Sequence, residues 1–185
     1  MLADLLVTLL FVVLNGFFVG AEFAIVKVRQ SQIDLKVASG NSFAKFAKHI
    51  VTNLDAYLSA SQLGITLASL GLGWIGERVV ANLVLTIFAK IGYTADPVTA
   101  HSIAIPIAFT LITVLHIVLG EQVPKTAAIR NPMQATLFVA LPMRIFYVVF
   151  RPFIWTLNGM SNLTLRMFGL SSADHTDIHT EEELR

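Results

Sequence analysis

The sequence predicts an all-α membrane protein, with three transmembrane helices per subunit and amphipathic juxtamembrane helices at the membrane surface. Three observations carry this. The 185 residues are 55% hydrophobic and 14% charged, with a mean hydropathy of +0.71. Soluble domains hold about 45–50% apolar and about 25% charged residues. Apolar stretches reach or exceed the roughly 20 residues that cross a bilayer core as a helix. Lys and Arg are concentrated in some connections and missing from another, the bias that orients spans. The absence of cysteine excludes disulfides, thiolate zinc sites and thiol nucleophiles. The net charge of +1 selects no partner, and no nucleic-acid partner is expected.

The first span is expected over about 3–27. Leu5 to Phe18 is nearly unbroken except for Thr8, Asn15 and Gly16, and no small-residue cleavage pattern follows. It therefore reads as a retained helix and not a signal peptide. Asn15, Gly16, Gly20 and Ala21 can share a face and let another helix approach closely. Residues 28–52 are basic (Arg29, Lys36, Lys45, Lys48, His49) and amphipathic (Ile33, Leu35, Val37, Phe43, Phe46). They read as two short surface helices joined by the turn signal Ser39-Gly40-Asn41. The apolar stretch 56–91 is too long for one ordinary span. The glycines of Gly71–Arg78 predict a break, with Ala56–Leu72 and Val79–Ile91 as separate helices.

The connection 92–101 carries no Lys or Arg. The third span follows over 101–123, with Pro106 in its first turns, where proline is best tolerated. The stretch 133–168 is apolar but contains Pro142, Arg144, Arg151 and Pro152. It is expected to form interfacial or re-entrant helices around the core, a span being the lesser alternative. Residues 1–170 thus form one transmembrane domain. Residues 171–185, with Asp174, Asp177, Glu181, Glu182 and Glu183, read as an acidic linker toward a further domain. The five Lys/Arg of 27–55 mark the inside. That gives a multi-pass protein of the cell (inner or plasma) membrane, N-terminus outside and C-terminus cytoplasmic. No internal repeat points to an inverted-repeat transporter.

The chemistry concentrates at Leu115–Lys125. Glu121 stands near the end of an apolar run, and a carboxylate at membrane depth costs roughly 2.5–3.5 kcal/mol unless it faces a cavity or a partner. Pro124 has no N–H and its ring clashes with the carbonyl four residues back, which is that of Gly120. Around the three spans lie further oxygen donors: Asn15 and Glu22; Ser59, Ser61, Gln62, Thr66 and Ser69; and Gly120 with Glu121. Hard divalent cations, Mg2+ above all, take such oxygens. Structural roles stay open beside this one. Glu121 can pair with Lys125 at i+4, and Glu22 with Lys27 or Arg29. Asn15, Gln62 and Thr66 can be interhelical glue, and at least one of Ser59 and Ser61 is expected to bond back to its own helix. His116, five residues before Glu121, falls off its face by the α-helical period. It reads as a packing or proton-handling residue. Gly71, Gly73 and Gly76 lack the Lys-Ser/Thr ending of a phosphate loop.

Three ordered motifs, Asn15-Gly16-Phe17-Phe18-Val19-Gly20-Ala21-Glu22-Phe23-Ala24, Leu58 to Trp74, and Leu119-Gly120-Glu121-Gln122-Val123-Pro124-Lys125, resemble the transmembrane domain of the CorC/cyclin M family (CNNM). The resemblance covers roughly residues 1–170. It implies a homodimer in the lipid bilayer, Mg2+ export thought to be coupled to Na+ influx, and an inward-open acidic cavity. It makes Glu121 of the Gly-Glu-x-x-Pro motif a Mg2+ ligand and puts Asn15 where relatives have Asn or Ser. Many relatives read Gly-Asn where this chain has Gly64-Ile65, so Gln62, Thr66 or a nearby serine must substitute. The ending His179–Arg185 is similar to the lead-in to a cytosolic CBS-pair domain, an ATP and Mg2+ sensor by the same resemblance. The expected metal set is therefore Glu121, Gly120, Asn15, Ser61, Gln62, Thr66, Ser59 and Glu22, with Mg2+ as transported substrate and Na+ as coupling ion. No enzymatic activity is expected. Two readings compete with transport: a non-transporting membrane anchor and dimerisation module for a cytosolic Mg2+/nucleotide sensor, and a weaker intramembrane hydrolase using Ser and His116.

Overall fold

A computed structural model describes residues 2–92 and 96–168, and every regular element among them is helical. The order is α1 (Leu2–Lys27), α2 (Gln30–Ala38), α3 (Ser42–Thr52), α4 (Leu54–Lys90) and α5 (Pro97–Leu115). A π-helical segment (His116–Gln122) leads directly into α6 (Val123–Arg130), and α7 (Pro132–Met167) follows. The acidic linker expected over 171–185 lies outside the described residues.

Helix α1 packs lengthwise on α4, and α5 packs on the far part of α4. The densest core lies where the second half of α1 meets α2, α3, the start of α4 and α7. Ile25, Ile33, Ala47, Ile50, Tyr57, Ala140 and Met143 are buried there. Aromatic rings tie α7 to this core: Tyr57 lies on Tyr147 (4.8 Å between centroids) and Phe18 on Phe146 (4.7 Å). Asn41 caps α3, its Oδ1 accepting from the N–H groups of Phe43 (2.9 Å) and Ala44 (3.2 Å). Gly40 precedes it with φ +83°, a left-handed conformation that costs glycine no Cβ clash. A Lys48–Asp34 ion pair of 2.7 Å clips α3 to α2. At the start of α5, Asp96 accepts from the Thr99 hydroxyl (2.6 Å) and main-chain N–H (3.1 Å). Those bonds hold its carboxyl below its ordinary pKa.

Two sequence expectations are corrected here. Four helical stretches are long and apolar enough to cross a membrane, not three: Leu2–Lys27, Leu54–Lys90, Val98–Arg130 and Pro132–Met167. The added one is α7, which carries Pro142 and Pro152 in its interior. Both prolines are exposed, so their rings point away from the packed face. That face (Val139, Ala140, Met143, Phe146, Tyr147, Phe150, Ile154) is held against the rest of the core and keeps the helix continuous.

The second correction is α4, which runs through Gly71–Arg78 without a break. Its glycines make room for neighbours. A side chain at Gly64 would overlap the ring of Phe18, and one at Gly71 the ring of Phe11. The two α1 aromatics are seven residues apart, as are the two glycines, so they form a regular seam of rings against bare backbone. Gly71→Ala would gain up to about 1 kcal/mol of helix propensity but force Phe11 out of its place, at roughly 1–3 kcal/mol. The expected result is a net destabilisation of about 1 kcal/mol, read as a lower thermal midpoint in detergent. Gly73, which has open space at its Cβ position, should tolerate Ala without loss.

Candidate functional site: a π-helical segment facing Asn15

The site forms where α1 crosses the end of the third apolar stretch. From His116 the chain leaves the α ladder, and the N–H of Val123 donates to the carbonyl of Val118, five residues back. Short π-helical segments inside longer helices are frequent at functional sites. Here the register has a definite consequence. Gln122 is the N-cap of α6, so its carbonyl opens the following α ladder. Between Val118 and Gln122 stand three carbonyls, those of Leu119, Gly120 and Glu121. The main-chain nitrogens that can serve them belong to Pro124 and Lys125, and proline carries no hydrogen. By register, two of the three carbonyls lack a main-chain donor.

One of them finds a side chain. Asn15, 2% exposed, donates from Nδ2 to the Gly120 carbonyl at 2.9 Å. Its Oδ1 accepts from the Ser69 hydroxyl at 3.0 Å. One amide thus joins α1, α4 and the π-helical segment. The approach is close: a side-chain carbon at Gly16 would stand 3.2 Å from the Leu119 carbonyl oxygen and 3.3 Å from Pro124 Cγ. A side-chain carbon at Gly120 would stand 3.3 Å from Asn15 Nδ2 and 2.9 Å from Cδ2 of His116. Glycine at both positions is what lets the helices meet.

The sequence-predicted residues divide into two groups. Asn15 and Gly120 are bonded to each other, and Glu121 follows Gly120 directly on the segment, with its side chain exposed on the chain surface. The alternative Glu121–Lys125 pairing does not form, and Lys125 Nζ lies over the Phe23 ring, 4.6 Å from its centroid. Glu22 is half-buried on α1, seven residues and so about two turns below Asn15 on the same face.

Ser59, Ser61, Gln62 and Thr66 do not join this group. All three hydroxyls bond back to their own helix: Ser59 to Asp55 O (3.0 Å), Ser61 to Tyr57 O (2.9 Å) and Thr66 to Gln62 O (2.8 Å). Ser59, Gln62 and Thr66 line a groove between α4 and α7, opposite Asn158 and Ser161. The contribution of α4 to the Asn15 site is Ser69, from the same polar stripe. The reason is lateral placement. α1 meets α4 at Gly64 and Gly71, while Gln62 and Thr66 open into the groove on the α7 side; further along the same stripe Ser69 reaches Asn15 on α1. His116 is also placed differently from expectation. In the π register it lies one turn from Glu121 and packs on Gly120; the α-helical period would have put it on another face. Among the described residues no three His, Asp or Glu side chains come together, so the oxygens of this site are mainly amide, hydroxyl and main-chain.

Fold and site define a multi-pass helical membrane domain in which an interrupted helix meets α1 at Asn15 and Gly120. The cyclin M transmembrane N-terminal domain family matches residues 6–185, and the chain belongs to that family, the CorC/CNNM group. It is 48% identical over 175 residues to the UPF0053 protein YhdT of Bacillus subtilis (strain 168), covering 94% of this chain and 38% of that protein. It is 44% identical over 183 residues to the UPF0053 protein YrkA of the same organism (98% and 42%). The uncharacterized protein Rv1841c of Mycobacterium tuberculosis (strain ATCC 25618 / H37Rv) is 33% identical over 177 residues (96% and 50%). The chain therefore spans about two fifths to half the length of these relatives.

Proposed function

We propose that this domain carries Mg2+ out across the bilayer, driven by Na+ influx, and that the π-helical segment is its ion site. The observation that supports this most is the set of carbonyls freed between Leu119 and Glu121, beside a buried amide and a carboxylate. Mg2+ takes oxygens at about 2.0–2.1 Å and keeps part of its water. Glu121 supplies the charge and Gly120 a carbonyl. Asn15 Oδ1 and the Ser69 hydroxyl supply neutral oxygens once the amide turns from its bond to Gly120. Glu22, two turns nearer the basic end of α1, draws cations toward the site. A single full charge with neutral donors binds weakly enough to release its ion.

In this reading α1, α4 and the stretch from α5 to α6 cross the bilayer while α7, though long enough to cross, lies along the cytoplasmic surface, so the N-terminus is outside and the segment after α7 is cytoplasmic. Two copies pair, and a following cytosolic domain governs access. Glu121, exposed on one chain, then faces the water-filled cavity that a carboxylate at membrane depth requires.

The test is Mg2+ calorimetry on the detergent-purified domain, with and without Na+, alongside Mg2+ flux in proteoliposomes carrying a Na+ gradient. Saturable binding weakened by Na+, together with Na+-dependent flux, is expected. A folded protein that neither binds nor passes Mg2+ would falsify the transport reading and leave a membrane anchor.

A further inference from the structure

We infer that the trough between the α2–α3 hairpin and the first half of α7 is a docking site for an anionic phospholipid. Two pockets along the same hairpin and helix make it up. Gln32, Leu35, Lys36, Ser39 and Met133 line one end, with a volume of about 430 Å3. Asn41, Phe43, Leu137, Phe138, Leu141 and Pro142 line the other, about 470 Å3. The large apolar side chains here stay uncovered: Leu35 is 73% exposed, Phe43 51% and Phe138 76%. On the opposite side of the same hairpin Ile33, Ala44, Ala47 and Ile50 are fully buried, so this exposure belongs to one face.

Charge selects the occupant. Across residues 27–52 and 132–151 the cations are Lys27, Arg29, Lys36, Lys45, Lys48, Arg144 and Arg151, and Asp34 is the sole carboxylate. Asp34 is already paired with Lys48. Lys36 stands in the trough wall, and Arg144 lies over Phe46 on α3, 5.1 Å from the ring centroid. The trough begins just beyond Lys27, where α1 ends, so it sits at headgroup depth. An apolar floor under a one-signed cationic rim at that depth fits a phosphate headgroup with its upper acyl chain. A neutral lipid would leave the rim unpaired. This inference stands apart from the ion site and does not depend on transport.

The experiment is thermal unfolding of the chain in nanodiscs of phosphatidylcholine alone or with half phosphatidylglycerol. The wild type should gain roughly 5–10 °C in the anionic discs, and 0.5 M NaCl, about a threefold rise over physiological salt, should shrink that gain. The triple variant Lys36→Gln, Lys45→Gln, Arg144→Gln should lose most of it. Phe43→Ser should reduce it while leaving the cations in place. The control Arg78→Gln, Lys90→Gln, at the other end of α4, should keep it. Equal midpoints in the two lipids for the wild type would overturn the proposal. So would a triple variant that retains the gain, or a control that loses it equally.

Discussion

Replacing Glu121 by alanine is expected to abolish Mg2+ flux, by about 100-fold or more, while the protein folds and purifies as before. The two halves of that expectation have separate causes. Glu121 is exposed and makes no ion pair among the described residues, so its removal breaks no packing; substitutions at such positions usually stay within about 0.5 kcal/mol. It is nevertheless the only full charge on the π-helical segment. A 100-fold loss corresponds to about 2.7 kcal/mol, within reach of removing one carboxylate from a cation held mainly by neutral oxygens. Glu121→Gln keeps the size and an oxygen but not the charge, and should recover little. Proteoliposome flux and calorimetry on both variants, with thermal unfolding as the folding control, check this. Wild-type flux in Glu121→Ala would sink the ion site as assigned.

The contrast between Glu121 and the stripe on α4 marks what the sequence could reveal. Asn15 was legible as a polar residue in an apolar run, and Gly120 because Pro124, with no N–H and a ring that crowds the carbonyl four residues back, frees that carbonyl in the α register. That carbonyl is indeed taken by a side chain 105 positions away in sequence. Gln62 and Thr66 were legible as a polar face, but helical spacing gives only an angle around α4. It does not say whether α1 or α7 lies at that angle, and the seam of Gly64 and Gly71 under Phe18 and Phe11 decides it. His116 was misplaced for a different reason. The spacing rule assumes the α period, and the π register between His116 and Gln122 moves it by about a quarter of a turn. Nothing in the composition of that segment announces the change. The prolines of α7 misled in the opposite direction, because tertiary packing on one face overrides a local preference to break.

Pro124→Ala should separate stability from function in a way no ligand substitution can. Alanine restores an N–H at position 124, which can serve the Gly120 carbonyl in the α register or the Leu119 carbonyl in the π register. It also removes a helix-interior penalty of up to about 3 kcal/mol, although Pro124 stands in the first turn of α6, where the relief is smaller. A rise in thermal midpoint is therefore expected. The same N–H competes with Asn15 for Gly120 and with any cation for the freed oxygens, so Mg2+ binding should weaken by about 10-fold, or about 1.4 kcal/mol. Ser69→Ala is the useful comparison. It removes the hydroxyl that holds Asn15 Oδ1 without touching the ladder, and so should lower stability and binding together. Calorimetry and thermal unfolding on the two variants would give opposite signs for the stability change. If Pro124→Ala instead binds Mg2+ as the wild type does, the freed carbonyls are not ligands and the site rests on side chains alone.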